Sequence, residues 1–100
     1  MYDMKNLAKF PRLSALAPDA FKAFVQFDEA AFKGGVIPLK QKELIAVAVA
    51  LTTQCPYCID IHAKRAKQAG ATDQELAETT LIAAAIRAGG AMTHGTHTLE

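Results

Sequence analysis

The stretch LIAAAIRA, Leu81 to Ala88, is apolar almost all round, with Arg87 the exception. As a helix it has no polar side to turn to water, and a helix apolar on every side must be buried on every side. It lies within DQELAETTLIAAAIRAGGAMTHG, one long helical segment opened by a T-x-x-E capping box at Thr72 and Glu75. The 100 residues form a single expected domain, 1–100, with room for one small core. Five short helices can hardly bury such a stretch within one chain. It therefore predicts a subunit interface and a homo-oligomer.

The rest of the chain also reads as helix. Lys5 to Leu16 is a weak helix interrupted near Pro11, and Ala17-Pro18-Asp19 marks a fresh start. The segment that follows carries Phe21, Phe24, Val25, Phe27 and Phe32 at helical spacings, which reads as a core face, and Gly34-Gly35 ends it. Pro38 opens the next. Its centre, LIAVAVAL, alternates like a strand, but its length and alanine content favour helix. A further helix, PYCIDIHAKRAKQAG, starts with Cys55 at the N-cap and Pro56 in the first position, and runs to Gly70. The expected class is all-α: a bundle of about five to six helices.

Charge is balanced, with eleven Lys plus Arg against ten Asp plus Glu, so no strong attraction to nucleic acid or anionic membrane is expected. Lys64, Arg65 and Lys67 read as a solvated helix face. No apolar run approaches the roughly 20 residues of a spanning helix. The opening MYDMKNLAKFPRL has no hydrophobic signal region, so a cytoplasmic location is expected. Thiols there stay reduced at rest, and a C-x-x-C pair is then redox-active or metal-binding rather than a staple.

That pair is Cys55 and Cys58, with His62 four residues further on. Spacings of three and four place all three on one face at a helix N-terminus. Backbone N–H groups and the positive end of the dipole favour thiolate there. The histidine can take a thiol proton or stand as imidazolium beside the thiolate. A very short connection near Thr53 and Gln54 makes the two flanking helices antiparallel. Reflection about that turn sets Glu43 opposite His62, where a carboxylate would fix the imidazole as the third member of a triad does. Equally, Glu43 could be a solvated residue near the helix start.

CPYC also occurs in glutaredoxins, but that fold needs a preceding strand and a later proline, and no proline follows Pro56. Haem attachment needs C-x-x-C-H, and Ile59 follows Cys58. Zinc could use Cys55, Cys58 and His62 with His94 or His97 as a fourth ligand, although a lone C-x-x-C is half a structural site. Two thiols buried as small hydrophobes would leave the spacing to His62 unexplained.

Glu43, eleven residues, Cys55-x-x-Cys58, three residues and His62 resemble the E-x(11)-C-x-x-C-x(3)-H signature of the alkylhydroperoxidase AhpD-like family. That family is a branch of the carboxymuconolactone decarboxylase-like superfamily. The resemblance covers roughly Phe21 to Gly95. It implies an all-helical AhpD-like fold, assembly as trimers or hexamers, and thiol peroxidase chemistry. Cys58 would be the peroxidatic thiolate. Cys55 would protonate the leaving oxygen and then resolve the Cys58 sulfenic acid as a disulfide. His62 would act as base for Cys58, and Glu43 would orient the relay. The substrate would be a hydroperoxide, and an outside dithiol, lipoyl-carrying or thioredoxin-like, would regenerate the pair. No cofactor and no metal are expected on this reading. The alternative is a non-catalytic redox sensor or zinc module using Cys55, Cys58 and His62.

Family peroxidases carry histidine where this chain has Tyr57. Tyrosine, titrating near pH 10, cannot replace a neutral-pH base, so Tyr57 is a candidate pocket residue that weakens the relay or alters the substrate. The lactone decarboxylases lack the cysteine pair, which argues against decarboxylation. His94 reads either as part of a C-terminal helix face with His97 or as a pocket residue near the thiols, its own or those of a neighbouring subunit.

Overall fold

Proline and glycine divide the helices much as the sequence predicts. The computed structural model describes residues 2–100. A 3-10 turn at Met4–Lys9 leads into α1 (Phe10–Leu16), α2 (Pro18–Phe32), α3 (Leu39–Thr53), α4 (Pro56–Gln68) and α5 (Asp73–Gly95), and a second 3-10 turn, Thr96–Thr98, follows. No strand occurs among the described residues. Pro11 lies in the first turn of α1, where its missing N–H costs nothing, and so divides 3-10 turn from helix. The end of α2 is capped from a distance: Lys42 Nζ donates to the carbonyls of Ala31 (2.8 Å) and Lys33 (2.6 Å).

The Ala/Val run is helical, at the centre of α3. This helix ends at Gln54, whose φ of 56° places it in the left-handed region. The N–H groups of Gln54 and Cys55 both turn back to the Ala50 carbonyl. Two residues thus connect α3 to α4, and the helices pack as an antiparallel hairpin. Gly70, at φ 98°, closes α4 and lets the Ala71 N–H reach the Ala66 carbonyl at 2.9 Å. The capping box then opens α5: the Glu75 N–H donates to Thr72 Oγ1 (3.1 Å) and the Thr72 N–H to Glu75 Oε1 (3.0 Å). Lys40 reaches Glu75 at 3.0 Å and ties the start of α5 to the start of α3.

α3 lies between α4 and α5. The core it organises is made of small residues: Val47, Ala50, Ala66, Ala71 and Ala83. The radius of gyration is 16.7 Å, against about 13 Å for a compact domain of this length. The aromatic stripe of α2 corrects one expectation. Phe21, Val25 and Phe32 are partly covered, but Phe24 and Phe27 are exposed, because α2 meets α3 at only a few positions. Leu81, Ile82 and Ile86 of α5 are likewise 63–71% exposed. No helix among the described residues is long and apolar enough to cross a membrane.

Candidate active site

The turn out of α3 delivers Cys55 directly into the N-cap of α4. Its backbone is extended (φ −95°, ψ 102°), and its Sγ accepts the Cys58 N–H at 3.4 Å. One helical turn brings the Cys58 sulfur to 2.8 Å from it. Both thiols are reduced and partly exposed. At that distance the pair cannot ionise independently. The Cys58 thiol, donating to the Cys55 sulfur, holds Cys55 below its ordinary pKa, and the Cys58 and Tyr57 backbone groups act in the same direction. The same contact pushes Cys58 up to about 11, with burial and the neighbouring negative charge adding to it. The first proton therefore leaves from Cys55. The thiol that ionises first is thus the N-cap one, not the one that the family resemblance makes the nucleophile.

The second pair lies across the hairpin. Glu43 is only 3% exposed, and its Oε2 lies 2.7 Å from His62 Nδ1. The solvated reading of Glu43 is thereby excluded. A carboxylate so deeply buried is tolerable only when paired, and no buried side-chain polar atom among the described residues lacks a partner. Phe32, at the end of α2, stacks on the imidazole with ring centroids 4.9 Å apart and planes 9° from parallel. The ring is thus fixed by the carboxylate on its edge and by the aromatic on its face. No hydrogen bond joins His62 to either sulfur, so a proton crossing between the two pairs needs a bridging molecule.

Tyr57 has another use. Its hydroxyl accepts from the Asp3 N–H (3.1 Å) and from Asn6 Nδ2 (3.0 Å), and its ring meets Tyr2 edge-on at 4.9 Å. It is the post on which the N-terminal turn docks, beside the thiols. His94, at the far end of α5, stacks on His97 of the following 3-10 turn with ring centroids 5.5 Å apart, and no hydrogen bond or ring contact among the described residues joins either to Cys55, Cys58 or His62. Among the described residues no three His, Cys, Asp or Glu side chains converge as metal ligands. An open groove of about 820 Å³ between α2, α3 and α4 is lined by Phe24, Phe32, Leu39, Glu43 and Arg65, but by neither thiol. Lys64 and Lys67 pair with Asp60 and Asp73 on the surface. Sequence reasoning missed Phe32 as a partner of His62. Its place at the end of the aromatic stripe was the available signal, but nothing in the spacing aims it at α4.

The Carboxymuconolactone decarboxylase family matches residues 18–100. An uncharacterized protein of the cox locus of Paracoccus denitrificans is 41% identical over 93 residues, covering 93% of this chain and 81% of that protein. An alkyl hydroperoxide reductase of Mycobacterium tuberculosis is 41% identical over 61 residues, which is 61% of this chain but 15% of that protein. A carboxymuconolactone decarboxylase family protein from Legionella pneumophila superposes with a TM-score of 0.76 at 34% identity, over 80% of this chain and 71% of its own. A protein from Methanobacterium thermoautotrophicum superposes with a TM-score of 0.83 at 35% identity, over 88% and 99%.

Proposed function

This chain belongs to the carboxymuconolactone decarboxylase family, and from that premise we propose that it is a thiol peroxidase of the alkylhydroperoxidase type. The observation that carries the proposal is the dithiol: two sulfurs 2.8 Å apart at a helix N-cap, beside a buried Glu43–His62 pair. The similarity to the mycobacterial alkyl hydroperoxide reductase supports it.

The pair shares one proton after the first has left. Transfer of that proton from Cys58 to Cys55 moves the charge onto Cys58. The Cys58 thiolate attacks the terminal oxygen of a hydroperoxide. The O–O bond breaks, the alkoxide takes the proton from Cys55 and leaves as alcohol, and Cys58 becomes a sulfenic acid. Cys55, now a thiolate, attacks the Cys58 sulfur and displaces hydroxide. That hydroxide becomes water by taking back the proton lost at the outset. His62, oriented by Glu43, is the nearby group that holds and returns that proton through a bridging molecule. The sum is one hydroperoxide and two thiols to one alcohol, one water and a disulfide. An external dithiol, lipoyl-carrying or thioredoxin-like, reduces the disulfide by exchange. The exposed apolar faces of α2 and α5 support assembly as a homo-oligomer, for which the family resemblance implies a trimer or hexamer.

The test counts free thiols before and after an alkyl hydroperoxide and traps sulfenic acid in Cys55→Ser and Cys58→Ser. Loss of both thiols in wild type, with a trapped sulfenic acid at Cys58 in Cys55→Ser, is the expected result. A sulfenic acid found only at Cys55 in Cys58→Ser would exchange the two roles. Thiols that survive excess peroxide would refute the peroxidase reading. Oxidation that no external dithiol reverses would make the pair a sensor instead.

A further inference from the structure

Arg87 is the only Lys, Arg, Asp or Glu between Glu78 and Glu100. It pairs with no carboxylate among the described residues. Its Nη1 instead donates to the backbone carbonyl of Thr52, in the last turn of α3. That carbonyl needs an outside donor. In a continuing helix it would accept from the residue four positions on, which is Pro56 and has no N–H. The local alternatives are occupied elsewhere. The Gln54 and Cys55 N–H groups both go to Ala50, and the Thr52 and Thr53 hydroxyls turn back to Val49 (2.8 and 2.9 Å). A guanidinium at a helix C-terminus also complements the dipole.

What Arg87 holds is the turn that makes the site. Gln54 is the only non-glycine residue with positive φ among the described residues, a conformation that side chains with a Cβ disfavour. It immediately precedes Cys55, so the left-handed turn at 54 sets the entry of Cys55 into its N-cap. The N-cap contact, in turn, helps to decide which sulfur takes the charge. An open cleft of about 320 Å³ lies beside this corner, bounded by Leu51, Thr52, Gln54, Ala83 and Arg87. We infer that Arg87 is a positioning residue for the Cys55–Cys58 pair, acting through the Thr52 carbonyl and the Gln54 turn. The inference rests on the dithiol being the working centre. Its test reads thiol ionisation and not peroxide turnover, so the two readings fail separately.

The experiment follows the pH dependence of Cys55 alkylation by iodoacetamide in wild type, Arg87→Met, Gln54→Gly and the double variant, with folding checked by circular dichroism. Arg87→Met keeps an apolar stem but no donor. Its Cys55 alkylation at pH 7 should fall about fivefold, the scale set by losing a helix cap, and its midpoint should move to higher pH. Gln54→Gly in the same chain should restore the wild-type profile, because glycine adopts the left-handed turn without help. An arginine that merely packs would change thermal stability without moving the profile, and glycine at 54 would not rescue it. A folded Arg87→Met with the wild-type profile overturns the inference, as does a shifted profile that Gln54→Gly leaves unrescued. If Arg87→Met alone does not fold, the double variant decides: wild-type alkylation in a folded protein supports the inference, and failure to fold overturns it.

Discussion

The α3–α4 hairpin and the outer faces of α2 and α5 handle their side chains in opposite ways. In the hairpin Glu43 is buried and paired with His62, and two thiols touch at a helix start, all within one chain. On the outer faces Phe24, Phe27, Leu81, Ile82 and Ile86 face water with nothing over them. The contrast teaches that the chemistry here is local while the stability is not. Glu43, Cys55, Cys58 and His62 lie within one twenty-residue stretch, but the only apolar residues buried among those described are small ones, Val47, Ala50, Ala66, Ala71 and Ala83, a thin core. Burial of the outer leucine and isoleucine side chains, worth about 1.5–3 kcal/mol each, is what a second copy would add.

The comparison breaks most visibly on α5. Ile82→Asp with Ile86→Asp should abolish assembly, seen as a smaller species in sedimentation, and lower stability by several kcal/mol, roughly two such burials. If that smaller species folds, its thiol titration should match wild type. A changed titration would mean that the faces and the hairpin are not separable. Next in size, Glu43→Gln should destabilise the fold by about 1–3 kcal/mol in chemical denaturation, since it leaves His62 without its charged partner. It should also raise the Cys58 thiol pKa. An unchanged Cys58 titration would leave Glu43 a structural residue only.

The thiol pair gives a smaller and more specific effect. A lowered Cys55 pKa means more thiolate at neutral pH, so one thiol should alkylate with a midpoint below the ordinary thiol value and the other with a midpoint of about 11. Cys58→Ala removes the largest cause of the Cys55 shift, so the Cys55 midpoint should rise toward the ordinary value. Two equal midpoints in wild type would show that the sulfurs do not share a proton. Smallest of all, Tyr57→Phe removes the acceptor for Asp3 and Asn6. It should cost about 0.5–1.5 kcal/mol and speed amide exchange in the N-terminal turn, with the hairpin unaffected.

Much of this was legible in the residues. Pro11, Pro18, Pro38, Pro56 and Gly70 mark the helix ends, Thr72 and Glu75 announce their capping box, and the short Gln54–Cys55 connection sets the register that brings Glu43 to His62. These are near-neighbour effects, in which helical periodicity and backbone sterics act over a few residues on either side of one turn. What the sequence by itself determined is therefore the helices, their hairpin and the dithiol, with Glu43 left between a triad role and a solvated one until its burial against His62 was seen. Only the tertiary structure decided how these residues are used: Phe32 arriving from α2 to stack on His62, Tyr57 serving the N-terminal turn, Arg87 holding the Thr52 carbonyl, and Cys55 rather than Cys58 giving up the first proton. The first three join residues 30 to 54 positions apart, whose approach depends on how whole helices pack. The last depends on a separation of 2.8 Å between two sulfurs, and electrostatics at that range follows coordinates rather than spacing.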